Sequence, residues 1–158
     1  MDSAELAHIR SCQAGILADF DPLYTLHVEA IYKFVYRRTL DTATAEDITS
    51  SVFLKAMESI RSFDPERAPF RAWLYRIARN LVIDHYRSAA RTHIDIESVW
   101  DLPSDEVATL DAERSVNAAE LHKALQKLKP MQRNIVMLRI WEDLSYKEIA
   151  EILGTSEG

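Results

Sequence analysis

The sequence predicts an all-α protein built as two small helical domains joined by an acidic linker. Three observations predict it. Glycine is scarce, with only Gly15, Gly154 and Gly158 in 158 residues, against a usual share of about 7%. Turn-rich β architectures and phosphate-cradling loops both draw on glycine, and no GxGxxG or Walker-type loop is present. The prolines Pro22, Pro65, Pro69, Pro103 and Pro130 fall between apolar-periodic stretches, where they start helices without breaking them. Finally, apolar residues recur at i, i+3, i+4 and i+7, the period of a helix with one buried face.

The elements follow in chain order. Leu23, Leu26, His27, Ala30, Ile31, Phe34 and Val35 form a first long stripe. Ile48, Val52, Phe53, Ala56 and Ile60 form another, whose start is marked by Thr44 with Asp47 three residues later, a capping-box spacing. Phe70, Trp73, Leu74, Ile77, Ala78, Leu81 and Val82 repeat the pattern. Stripes of this kind must be buried against each other, so residues 1–91 read as one helical bundle domain. Residues 92–114 lose the periodicity and carry seven acidic residues against Arg114 alone, which reads as a linker. Helical spacing returns over 115–158, with Ala118, Leu121, Ala124, Leu125 and Leu128, and then Met131, Ile135 and Leu138 after Lys129-Pro130. Ser145 and Glu148 make a capping box opening a helix through Leu153, and Gly154 stands where a left-handed stop belongs. A short helix followed by a glycine turn is helix-turn-helix grammar, and the second helix that would enter a major groove is not within the sequence.

Composition excludes several function classes. Cys12 is alone, so neither a disulfide framework nor a CxxC metal site exists. The chain opens Met1-Asp2-Ser3-Ala4-Glu5, acidic where a secretory signal is basic. No apolar run approaches the roughly 20 residues needed to span a bilayer, so the expectation is a soluble, cytoplasmic chain without membrane insertion. HExxH, GxSxG and paired metal ligands are all missing, so the chain reads as a non-enzyme without metal or cofactor.

The net charge of −6 sums unlike parts: residues 1–60 carry −4, 61–91 carry +4, 92–120 carry −7 and 121–158 carry +1. All seven cations of the basic stretch are arginines, which suit bidentate phosphate and base contacts and stacking on rings. Phe63, Tyr75 and Tyr86 are interleaved with them. On the third stripe's helix, Trp73, Ile77 and Leu81 face the core. Arg76, Asn80, Asp84 and Arg87 run along another side, and Arg71, Tyr75 and Arg79 along a further one. Guanidinium groups, an amide and aromatic rings on one exposed surface are what single-stranded nucleic acid needs. Spacing alone leaves open that this face is simply a solvated surface.

Residues Arg71 to Arg87, RAWLYRIARNLVIDHYR, resemble the promoter-melting segment of bacterial sigma factors of the extracytoplasmic-function type. Ala45 to Ala56 resembles that family's polymerase-binding helix, and Leu125 to Gly158 resembles the start of its fourth region. The resemblance implies a region-two helical bundle and an incomplete region-four helix-turn-helix. It implies a transcription initiation factor that binds the clamp helices of core RNA polymerase's largest subunit and captures a flipped non-template base at the minus-ten element. By position in the motif, Phe63 and Asp64 lie in the base-pocket loop, Asn80 contacts the opened strand, and Arg76, Arg79 and Arg87 hold phosphates, with Arg71 and Tyr75 on the same DNA-binding face. Glu46, Asp47, Ile48, Ser51, Val52 and Phe53 face the polymerase. An anti-sigma protein clamped on both domains is a further implied partner. Two departures stand out: Ser50-Ser51 replaces the family's frequent Gln-Glu, and the sequence reaches Gly158 before the recognition helix that reads the minus-thirty-five element. The alternative is a helical protein-interaction module derived from this fold, without promoter-directing activity.

Overall fold

A computed structural model describes residues 2–89, 124, 125 and 127–155. The expected linker, including Trp100, and the stripe residues Ala118 and Leu121 lie outside the described residues. Six α-helices are described: α1 (Ser3–Gln13), α2 (Phe20–Thr39), α3 (Thr42–Ser59), α4 (Phe70–Ala89), α5 (Pro130–Trp141) and α6 (Tyr146–Leu153). Short 3-10 turns at Leu17–Asp19 and Ile60–Ser62 join α1 to α2 and end α3. The described residues contain no strand.

Helices α1 to α4 pack around one core in which Ile9, Leu23, Ile31, Phe34, Ile60, Phe70 and Leu74 are fully buried. The α3 stripe is buried as its spacing predicts, at Ile48, Val52, Phe53 and Ala56. The α2 stripe is narrower than expected: Leu26 is 62% exposed and Ala30 is exposed. The buried line on α2 runs through Leu23, Ile31, Phe34, Val35 and Arg38, and the half-buried His27 lies on it. A neighbour fixes that line, because His27 pairs with Glu5 of α1 at 2.8 Å.

Helix α3 is capped three residues earlier than its Thr44 signal suggests. Leu40 takes a left-handed conformation (φ 51°) that ends α2. Asp41 then caps α3 from an extended backbone, accepting from the Thr44 N–H at 2.7 Å. That hydrogen bond holds the Asp41 carboxyl below the usual carboxylate range. The capping box of α6 forms as its sequence predicts: Ser145 Oγ accepts from the Glu148 N–H, and the Glu148 carboxylate accepts from the Ser145 N–H at 2.8 Å. Gly154 closes α6 with φ +69°, a left-handed geometry that glycine adopts without strain.

The apolar residues of α5 and α6 divide, with Met137 buried outside the main cluster. Leu138, Leu144, Ile149 and Ile152 join the same buried cluster as α1–α4, with α6 lying against α4. Arg133 donates from Nε to the Leu125 carbonyl at 3.1 Å, tying the segment before α5 to the helix.

Candidate nucleic-acid interface

Helix α4 is the central element of the site. It contacts α2, α3 and α6, so most of its circumference is covered and Ala72, Trp73, Leu74, Tyr75, Ala78, Val82 and Ile83 are all buried. Before it, the turn at 60–63 is clamped from α1: Gln13 Nε2 donates to the Phe63 carbonyl at 2.7 Å and to the Ile60 carbonyl at 3.1 Å. Asp64 organises the next residues, accepting from the Glu66 N–H at 3.0 Å through its side chain and from the Arg67 N–H at 3.2 Å through its carbonyl. This is an Asx turn, a local geometry that Asp supplies readily.

The turn, α4 and Glu151 of α6 line a half-open cleft of about 130 Å³, with Ser62, Phe63, Asp64, Arg67, Ala68, Trp73 and Arg76 as its other walls. It is small beside the roughly 300–1,000 Å³ of typical ligand pockets, which suits a single ring or side chain. Phe63 and Trp73 supply its aromatic wall, with ring centroids 5.0 Å apart, and both pack on buried Phe70.

The predicted DNA-binding residues of α4 divide into two sets. Asn80 and Arg87 are exposed on the outer side of α4, and Arg79 is half-buried, with its guanidinium drawn below the usual range by that burial. Arg71, Tyr75 and Arg76 instead face the α5–α6 segment. Arg71 forms a fork with Glu148, Nε to Oε1 and Nη2 to Oε2, the latter at 2.8 Å. Arg76 Nη1 donates to Glu151 Oε1 at 2.8 Å, and Arg67 Nε lies 3.9 Å from the same oxygen. Glu142 accepts from the Tyr75 hydroxyl at 2.8 Å and from Arg37 Nη1 at 2.7 Å. The expectation of exposed rings does not hold for Phe63 and Tyr75, which are 5% and 4% exposed. Tyr75 packs edge-on against Phe34, its centroid 4.9 Å away. Phe63 keeps an edge on the cavity.

Charge states follow from these contacts. Burial opposes ionisation of Glu148, but hydrogen bonds from Arg71 and Ser145 outweigh it and hold the carboxyl at about 2. The same hydrogen bond raises the Arg71 guanidinium. Burial and the adjacent Glu142 charge push the Tyr75 phenol well above its ordinary range. Behind it, Arg38 is buried with its guanidinium 3.6 Å from the Phe34 ring centroid and donating to the Phe34 carbonyl at 2.7 Å.

The predicted polymerase-facing residues also divide. Glu46, Asp47 and Ser51 are exposed on the outer face of α3, together with Ser50 and Leu54. Ile48, Val52 and Phe53 are core residues, 7%, 0% and 4% exposed, so they set the angle of α3 and offer little surface to a partner. Sequence reasoning missed Glu142, Glu148 and Glu151 as parts of the site, along with Arg37. Their partners lie 67 to 105 residues away, and local spacing carries no sign of them. Among the described residues, no group of three or more histidines, cysteines or carboxylates could hold a metal ion. No helix among them is long and apolar enough to cross a membrane.

Comparison with known proteins places this architecture. The family description Sigma-70 region 2 matches residues 23–92, and Sigma-70, region 4 matches residues 118–158. The ECF RNA polymerase sigma factor BldN of Streptomyces coelicolor is 36% identical over 99% of the chain, which spans 61% of that protein's length. The RNA polymerase sigma factor YlaC of Bacillus subtilis is 33% identical over 86% of this chain and 80% of its own. The ECF RNA polymerase sigma factor SigW of the same organism is 30% identical over 95% and 85%. The fold is shared with a chain in the structure of CnrH in complex with the cytosolic domain of CnrY, at a TM-score of 0.66 and 24% identity, over 98% of this chain and 86% of that one. With both sigma-70 regions in order along the chain and relatives of this kind over nearly its whole length, the protein belongs to the RNA polymerase sigma factors of the extracytoplasmic-function type.

Proposed function

We propose that the chain is a transcription initiation subunit that binds core RNA polymerase, brings it to specific promoters and captures an unpaired non-template base at the minus-ten element. One observation carries this reading: a ring-sized cleft walled by Phe63 and Trp73 opens beside Arg67 of the preceding turn and Arg76 of α4, the helix that also bears Asn80 and Arg87. A flipped base costs a few kcal/mol to unstack, which a snug pocket and stacking offset. Arginines alongside hold the backbone while the pocket holds the base. In this reading residues 1–91 form the polymerase-binding and melting domain, 92–114 the linker and 115–158 the region-four domain. Glu46, Asp47 and Ser51 face the clamp helices. A protein antagonist of the anti-sigma kind and a cytoplasmic site of action belong to the same reading. No chemical step is assigned to the chain, which selects and opens the template for the polymerase.

The test is co-purification with core polymerase followed by transcription from a cognate promoter. Asn80→Ala and Arg76→Ala should abolish promoter opening while leaving polymerase binding intact. Failure of the wild-type chain to bind core polymerase would sink the reading. A second reading, an interaction module without promoter-directing activity, draws support from the pairing of Arg71, Tyr75 and Arg76 with carboxylates of the same chain. It predicts unchanged function in both variants.

A further inference from the structure

Three carboxylates within ten residues of chain converge on the arginine side of α4. Glu148 takes Arg71, Glu151 takes Arg76 and approaches Arg67, and Glu142 takes Tyr75 and Arg37. Glu151 also reaches the rim of the cavity beside Phe63, Asp64 and Trp73. A carboxylate in a guanidinium fork makes the same contact as a pair of phosphate oxygens. The two cannot occupy one arginine together.

We propose that α6 is a displaceable anionic cover, mimicking phosphates over the nucleic-acid face and closing it until a strand competes it away. This inference rests on the reading of α4 as that face. The balance of forces suits displacement. Arg76 and Glu151 remain 39% and 25% exposed, so solvent screens their pair and it is weak, while the Arg71–Glu148 pair, buried on its acid side, is the firmer hinge of the cover. The apolar seam of Leu144, Ile149 and Ile152 holds the cover in place, and the acids give it a register over the arginines. A single-stranded polyanion offers the same arginines evenly spaced phosphates and releases its own counterions on binding, which the three glutamates cannot match. The cover lowers the apparent affinity for the strand by the fraction of molecules that stand open.

The test measures binding of a fluorescent single-stranded DNA oligonucleotide to the full 158-residue chain by anisotropy. Glu142→Gln with Glu151→Gln removes two acids that cap no α6 N–H and leaves the Ser145–Glu148 box intact. The expected result is about ten-fold tighter binding, because Arg76 loses its screened partner and the cover loses the anchor of Glu142 on Arg37 and Tyr75. It should come with a steeper loss of affinity as salt rises, because the wild-type chain gives up internal ion pairs to bind. Spin labels on Glu58→Cys and Lys147→Cys, with Cys12→Ala, report closure independently of the acid variants. The distance between them should lengthen when the oligonucleotide saturates the chain. An unchanged distance at saturation, or unchanged affinity in the double variant while Arg87→Ala weakens binding, would overturn the cover and leave the nucleic-acid reading standing. No binding by any variant would overturn both.

Discussion

Replacing Glu148 by Gln isolates one ion pair with little disturbance to the helix around it. Gln at the third helical position still completes a capping box with Ser145, so the start of α6 survives while the charge opposite Arg71 is lost. The carboxyl is held at about 2 against an ordinary 4.5, which corresponds to roughly 3 kcal/mol in favour of the charged form. Arg71 is 42% exposed, and solvent screening reduces that by about half, to ~1.5 kcal/mol. Because the folded value lies below the unfolded one, the contribution is complete above about pH 4.5 and fades as pH falls toward 2. Urea unfolding of wild type and Glu148→Gln should therefore show a stability gap of ~1.5 kcal/mol near pH 6 that narrows steadily on acidification. Glu148→Ala should widen the gap by a further ~1 kcal/mol at pH 6, for the lost cap. Parallel curves for wild type and Glu148→Gln from pH 6 to acid would refute the argument, because a packing defect has no reason to titrate.

Other positions give equally direct outcomes. Phe70→Ala empties a fully buried site between Phe63, Trp73 and His27, and a thermal melt should register a loss of ~3–5 kcal/mol. Gln13→Ala strips two hydrogen bonds from the turn at 60–63. Hydrogen exchange at residues 62–68 should accelerate while α3 remains protected, and uniform acceleration across the chain would contradict that role. Asp41→Ala removes the α3 cap and should lower the urea midpoint. Asp41→Asn should recover most of it, since an amide oxygen can accept the same bond.

The parts of the fold that local rules govern were legible in the sequence. The apolar period placed the buried faces of α3 and α4, and the Ser145–Glu148 spacing with Gly154 placed both ends of α6. What depends on neighbours was not. Periodicity gives the centre of a buried face, while its width depends on how many helices lean on it. Tyr75 is buried because α4 has helices on three sides. Leu26 is exposed because nothing described covers that flank of α2. The candidate site shows the same division. Its arginines and Phe63 stand out as a basic, aromatic stretch, and the cavity follows from the Gln13 and Asp64 contacts that fix the turn. The glutamates opposite them look like any solvated acids until the tertiary register brings them to Arg71 and Arg76.

The chain order of these groups has a consequence for synthesis. The arginines of α4 and the helices α1 to α3 that pack with it lie within residues 3–89, whereas the acids that face them begin at Glu142. Chains emerge and fold from the N-terminus, so the basic face is assembled before its acidic counterpart has been translated. A ribosome-bound chain halted near residue 120 would carry that face open to the most abundant polyanion in its surroundings, ribosomal RNA. Residues 130–153 thus settle more than their own two helices, because their arrival ends the interval in which the basic face is uncovered.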